Sequence, residues 1–256
     1  MKYSSRIIVP HSKRYIFSGV FLLIILWWGT SLVVGPLVLS TPWAITEALF
    51  SMVWESSFYE TLGITLFRLG SILCLAGGGG LLLGAIAAFD YRFALVLEPF
   101  RWLCMAIPPV IVVVVLMFFF GMGSQMIVVF GTGILWPIMY VNVLKGSEGI
   151  DVDLWEMSKI FQFSWTSRLW DILLPAVMPS ILTGVIQVVC GAIRITVLAE
   201  LIGANEGVGA AIATNARNLE NARMGAWAFV ALLISTSIEF VVLRPLQKKV
   251  YRWRML

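Results

Sequence analysis

Thr183, Gln187, Cys190 and Arg194 recur at intervals of four, three and four along an otherwise apolar run. That spacing places them on one stripe of a helix, with Gly191 beside Cys190. A guanidinium among apolar neighbours is costly and usually functional. Lining a polar route, it would favour an anion. Two plainer readings stand beside this one: Arg194 pairs with Glu200 or Glu239, or its long side chain reaches along the helix to a polar boundary. Little else in the chain could do chemistry. Cys74, Cys104 and Cys190 lie in apolar segments without CxxC spacing, and read as free, buried thiols with no metal or disulfide role. His11 stands alone in a polar N-terminal tail. There is no HExxH, no pair of carboxylates inside an apolar run and no Ser/His constellation, so no residue is assigned a catalytic or metal-ligating role. The glycine run Gly77–Gly80, with Gly84, is not a phosphate loop, because no GxxxxGK[ST] occurs. It reads as close helix packing or, less simply, as a hinge.

The elements that must position these residues follow from composition. The chain is 60% hydrophobic and 12% charged, against about 25% charged in soluble domains. About 20 apolar residues cross a bilayer as a helix. Runs of that order occupy about Tyr15–Gly35, Leu62–Phe89, Trp102–Phe120, Gln125–Leu144, Ala176–Leu198 and Gly225–Leu243. The expectation is an all-α polytopic membrane protein of six transmembrane helices, one domain over residues 1–256. A β-barrel is disfavoured, since the apolar residues come in blocks and not in alternation.

The net charge of +4 is concentrated at the ends: Lys2, Arg6, Lys13 and Arg14 precede the first run, and Arg244, Lys248, Lys249, Arg252 and Arg254 close the last. This is a topology signal and not a nucleic-acid footprint: both termini face the cytoplasm. Residues 1–14 then form a cytoplasmic tail, and 200–224 an extracytoplasmic loop. The stretch Leu37–Glu60 has Glu47, Glu55 and Glu60 but no Lys or Arg, so it faces outward, with a short amphipathic helix through Trp43 and Trp54. The Asp90–Arg101 loop falls on the cytoplasmic side.

One insert breaks the apolar pattern. The stretch "WEMSKIFQFSWTSRLWDILLP", Trp155–Pro175, lies within a cytoplasmic segment, 145–174, that leads into the fifth run. Asp153 and Glu156 form an Asp variant of the capping box, so a helix starts near Leu154 with Leu154, Met157 and Phe161 on one face. The pattern breaks at Phe163–Ser164, and a second helix, Trp165–Leu173, follows. Pro175 opens the fifth span.

This insert resembles the EAA signature of ABC importer permeases: Glu-Ala-Ala, three residues, Gly, a spacer, then Leu-Pro. Glu156 holds the glutamate position, Met157 and Ser158 replace the alanines, Gln162 replaces the glycine, and Leu174-Pro175 closes the pattern. "AELIGANEGVG", Ala199–Gly209, resembles the segment after the fifth span in permeases of the nitrate, sulfonate and taurine group. "PWAITEAL", "LGITLFRLG" with Arg68, and "IPPVIVVVVLMFFFGMG" resemble the same group, so the likeness runs from about residue 20 to 254.

The resemblance implies a type I, methionine-importer-like permease fold in a bacterial inner membrane. It implies that Glu156, Met157, Ser158, Gln162, Phe163, Trp165, Leu174 and Pro175 couple to a separate ATPase. In such a protein the polar stripe of Thr183, Gln187, Cys190 and Arg194 is the expected pathway, and the glycine-rich turn with Glu200, Gly203, Asn205, Gly207 and Gly209 the expected outer gate or loop. Arg68, as part of the shared pattern, is expected to be structural. A single motif copy implies a homodimer, two ATPase subunits that hold the ATP and magnesium, and a periplasmic or lipid-anchored substrate-binding protein. This chain itself needs membrane lipid and no cofactor. A small anion is the expected solute, with a vitamin precursor or other heterocycle as the alternative; a secondary transporter or channel would show internal repeats, and none is seen.

Overall fold

The computed structural model describes residues 13–35, 38–149 and 152–240. All regular structure among them is helical. Helix α1, Lys13–Val34, is followed by α2, Pro42–Val53. Thr41 caps α2: its hydroxyl accepts from the Ala44 amide at 3.2 Å, and Pro42 sits where no amide hydrogen is needed. Helix α3, Ser56–Phe89, is a single 34-residue span with a π-helical turn at Leu73–Gly77. Helices α4, Tyr91–Ala106, and α5, Pro109–Phe120, come next, then α6, Ser124–Glu148. The short α7, Val152–Ile160, precedes α8, Trp165–Gly203. Helices α9, Val208–Arg217, and α10, Asn221–Ile238, complete the described chain.

The core is built where α6 and α8 meet. Leu135, Met139 and Val143 of α6 pack with Val177, Val188 and Ala192 of α8 and with Ile72 and Ala76 of α3. The approach is close because small residues line the seam. A methyl on Gly184 would stand 2.8 Å from the Met139 sulfur, and one on Gly146 would stand 2.7 Å from the Ser180 Cβ. Of the glycine run in α3, Gly80 and Gly84 serve this purpose against α6: added Cβ atoms would lie 2.6 Å from the Trp136 carbonyl oxygen and 2.8 Å from the Val143 Cβ. Gly77, Gly78 and Gly79 face open space beside the π turn. A second cluster joins α2, the start of α3, α9 and α10, where Phe58 of α3 stacks on Trp227 of α10 with ring centroids 5.2 Å apart. Helix α1 is mostly exposed and meets the second cluster through Trp27.

Four helices, α1, α3, α6 and α8, are long and apolar enough to cross a bilayer, and a fifth crossing follows if α4 and α5 count together. The expected third span, Trp102–Phe120, is not one helix: α4 and α5 meet at 105°. Pro109 pushes Pro108 out of the helical region, and Pro108 does the same to Ile107, so both are extended, with ψ of 132° and 129°. Helix α5 alone has 12 residues, about 18 Å of rise. The expected Asp90–Arg101 loop is instead mostly α4, which begins one residue after Asp90; the Asp90 carboxylate accepts from the Arg92 amide at 2.9 Å.

Two more boundaries differ. The second helix of the polar insert is not separate from the fifth span, because α8 runs unbroken from Trp165 to Gly203. Pro175 therefore does not open a helix. It sits inside one, directly after a π-helical stretch, Arg168–Leu173, in which the Leu174 amide reaches back to the Leu169 carbonyl. That wider turn lets the helix pass the missing proline amide without ending. Helix α7 starts by Val152, so Asp153 lies inside it and is not its cap. The end of the sixth expected span, and the terminal Lys and Arg clusters apart from Lys13 and Arg14, lie outside the described residues.

Candidate functional site

Three places carry the candidate residues. The first is the polar insert. Helix α7 ends in a Schellman-type turn: Gln162 takes a φ of +53°, and the Phe163 amide donates to the Ser158 carbonyl at 3.0 Å. Gln162 thus adopts the backbone that the resemblance gives to glycine. A left-handed residue with a Cβ costs about 1–2 kcal/mol. Replacing Gln162 with glycine should therefore raise the thermal midpoint of the purified protein; an unchanged or lower midpoint would show that its side chain offsets the strain. Ser164 then caps α8, its hydroxyl accepting from the Ser167 amide at 3.2 Å.

The turn leaves a side-chain display. Ser158 is fully buried, whereas Met157, Phe161 (69% exposed) and Trp165 (57% exposed) stand out from the bundle, and Glu156 is exposed. Trp165 also touches Phe89 at the end of α3, with ring centroids 5.6 Å apart, so the insert is tied to the bundle. Phe163 and Leu174 are half-buried and Pro175 is exposed. The side chains of Leu154, Trp155 and Lys159 fall outside the described residues.

The second place is the α8 stripe. Thr183, Gln187, Cys190 and Arg194 are all exposed, on a face of α8 that this chain leaves uncovered, with Gln187 at its edge toward α6. The expected burial of the thiols is corrected here: Cys74 and Cys190 are exposed and Cys104 is half-buried. They sit on outer helix faces that this chain does not itself cover. Asn142 donates to the Gln187 side-chain oxygen at 2.8 Å, fixing that side chain, and among the described residues nothing bonds its amide nitrogen. Among the described residues no hydrogen bond or ion pair reaches Arg194.

The third place was not legible as a unit. Arg68 and Glu200, 1% and 0% exposed, form an ion pair at 2.8 Å in the interior. The pair has further partners. Arg68 Nη1 also donates to the Glu206 carbonyl at 2.7 Å, and its Nε to the Ser124 hydroxyl at 2.9 Å. The Thr65 hydroxyl lies 2.9 Å from Glu200 Oε1 and accepts from the Val208 amide at 2.8 Å. The Gly209 amide donates to Glu200 Oε2 at 2.9 Å. Glu200 therefore faces the first amides of α9, where a helix N-terminus favours an anion. Charge, hydrogen bonds and helix dipole together offset the desolvation of the two ions.

Four elements are joined by this network: α3 through Thr65 and Arg68, α6 through Ser124, α8 through Glu200, and the turn into α9. Gly207 makes the fit possible, with a φ of +104° and no room for a side chain; a Cβ there would lie 2.3 Å from Glu200 Oε1. Glu200 and Gly203 are thus not loop residues, as 200–224 had suggested, but the buried last turn of α8. Ala204–Gly207, with Asn205 exposed, and Asn218–Glu220 are turns, and α9 and the start of α10 fill the rest. Glu200 is consumed by Arg68, which removes it as a partner for Arg194. The signal for this pair was its rarity: Arg68 and Glu200 are isolated charges in apolar runs.

An all-helical chain with several bilayer-length helices and an exposed, capped polar insert is the architecture of a membrane permease. A family model for binding-protein-dependent transport system inner membrane components matches residues 80–252, and the chain belongs to that family. It is a multi-pass inner-membrane permease of the type I ABC importer class, in the group that the motifs suggested. It is 28% identical over 223 residues to a putative aliphatic sulfonates transport permease protein, SsuC, of Bacillus subtilis, covering 87% of this chain and 80% of the relative. It is 25% identical over 240 residues to the taurine transport system permease protein TauC of Escherichia coli, covering 90% and 86%. One chain of the inward-facing MetNI methionine ABC transporter superposes with a TM-score of 0.56 at 17% identity, covering 72% of this chain and 93% of that one. That likeness shows the methionine-importer-like fold.

Proposed function

We propose that two copies of this chain form the translocation pathway of an ATP-driven importer for a small organic anion, a sulfonate or taurine-like solute. A binding protein delivers the solute on the Gly203 side of the bundle, and two separate ATPase subunits dock at the α7–α8 corner on the cytoplasmic side. The single observation that carries this reading is the apolar display of Met157, Phe161 and Trp165 on a corner built by a Schellman turn and a serine cap. Exposed aromatic and thioether side chains on a short, tethered helix suit the groove of a partner protein. Glu156, Met157, Ser158, Gln162, Phe163, Trp165, Leu174 and Pro175 make up the coupling corner, Ser158 and Gln162 by shaping its turn.

The continuity of α8 gives the coupling a mechanical basis. A push at Trp165 is carried along one 39-residue helix to Glu200, and so to the buried pair. ATP and magnesium belong to the ATPase subunits; this chain's part is to receive the movement and alternate the side on which the α8 face is open. The substrate class is supported by the names of the aliphatic sulfonate and taurine permeases it resembles.

Glu156→Lys tests the docking. In the reconstituted complex with its binding protein, nucleotide-driven uptake of ethanesulfonate or taurine should fall at least tenfold, on the order expected for reversing an interfacial charge. Insertion of the permease into the membrane should not change. Uptake at the wild-type level would remove Glu156 from the docking surface.

A further inference from the structure

We propose that Arg194 is an anion-binding group inside the pathway, completed by Arg194 of a second copy of this chain, with Gln187 as a neighbouring hydrogen-bond donor. The inference rests on the permease reading and goes beyond it by naming the group that meets the anion. Arg194 lies nine residues before Gly203 on α8 and nineteen after Pro175, about 14 Å and about 28 Å along the helix. The Gly203 end is the end of the bundle, where α5 stops at Phe120, α6 begins at Ser124, and the Gly123 amide meets the Gly203 carbonyl at 3.0 Å. In a hydrocarbon layer of about 30 Å, Arg194 is therefore near the middle.

Neither plainer fate is open to it. Glu200 is occupied by Arg68, Thr65 and the Gly209 amide, and among the described residues no ion pair joins Arg194 to Glu239. Helical side chains lean toward the helix N-terminus, so the Arg194 side chain leans away from the nearer boundary at Gly203, and reaching that boundary would run against the geometry of α8. An exposed guanidinium at that depth cannot face lipid. The face it shares with Thr183, Gln187 and Cys190 must border water or another protein surface.

The spacing of that face favours a second copy. Positions 183, 187, 190, 194, 197 and 201 alternate in steps of four and three, the repeat of a helix seam that packs against a like seam. A two-fold arrangement brings the same residue of each copy toward the axis. Two facing arginines repel unless an anion lies between them, and guanidinium groups bind planar or tetrahedral oxyanions through paired N–H donors. Gln187 adds an amide nitrogen two turns away, because Asn142 already occupies its side-chain oxygen.

Cys190, one turn from Arg194, makes the site measurable. In the liposome-reconstituted complex of a Cys74→Ser, Cys104→Ser chain, Cys190 is the one thiol left in this polypeptide. Its reaction rate is measured with 2-sulfonatoethyl and with 2-(trimethylammonium)ethyl methanethiosulfonate, each normalised to a free thiol. The sulfonate reagent should be favoured by about tenfold. Arg194→Gln should abolish the preference, Arg194→Lys should retain most of it, and ethanesulfonate should slow the sulfonate reagent only when a cation is present at 194. No reaction at Cys190, or no change of preference in Arg194→Gln, would overturn the site. Nucleotide-driven uptake by the same preparation is read separately, so a transporting complex without the charge preference refutes the site alone. A complex with the preference but no uptake refutes the proposed sulfonate import instead.

Discussion

Glu200→Gln is expected to lower the stability of the folded permease by about 3–5 kcal/mol, the cost of leaving a buried charge without its partner. The change is nearly isosteric, so the loss comes from charge and hydrogen bonding and not from a cavity. Arg68 would keep Glu206 and Ser124 as acceptors but lose its counter-charge at 0% exposure. The measurement is the thermal unfolding midpoint of the detergent-purified chain, alongside its yield in membranes. Arg68→Met combined with Glu200→Met should recover part of the loss, because a buried pair replaced by apolar groups leaves no orphaned ion. A Glu200→Gln protein as stable as wild type would mean that the pair contributes nothing to holding α3, α6, α8 and α9 together.

The second large effect concerns transport and not folding. Phe161→Asp with Trp165→Asp should abolish nucleotide-driven uptake while leaving the thermal midpoint nearly unchanged. Both side chains are exposed, so the bundle loses little apart from the Trp165 contact with Phe89. A docked partner, by contrast, would have to bury two carboxylates in an apolar groove, a cost of several kcal/mol. Co-purification of the ATPase subunits should fall in parallel. Full uptake by this double variant would place the docking surface elsewhere.

How far the sequence could be read depended on the range of the interaction concerned. Local signals served well. The periodicity of Trp43–Trp54 gave α2, and the apolar block at 125–144 gave α6 within four residues at its far end. The break at Phe163–Ser164 was visible because Ser164 is a capping residue after a run of helix formers. What failed were positions where proline competes with its surroundings. Pro108 and Pro109 bent the chain between α4 and α5, whereas Pro175, which looked like a helix start, was absorbed by a π turn. Periodicity cannot distinguish these outcomes, since each depends on what the flanking helices pack against. The Arg68–Glu200 pair was unreadable for a different reason: its partners are 132 residues apart, and several charges could have met. Glu200 looked like a loop residue because glycines follow it, yet Gly207 lets backbone approach its carboxylate, Gly209 lies against the Val197 carbonyl, and Gly203 packs on Met126.

Coupled transport by this chain requires a separate nucleotide-hydrolysing subunit that grips the corner around Gln162. Phe161→Cys in the native complex, treated with a short bifunctional thiol-to-amine cross-linker in inside-out vesicles, tests this directly. The predicted result is a covalent product joining this chain to an ABC ATPase subunit, formed in proportion to nucleotide-driven uptake before cross-linking. A Phe161→Cys thiol reachable only from the opposite face of the membrane, or a product containing no nucleotide-hydrolysing protein, would contradict it.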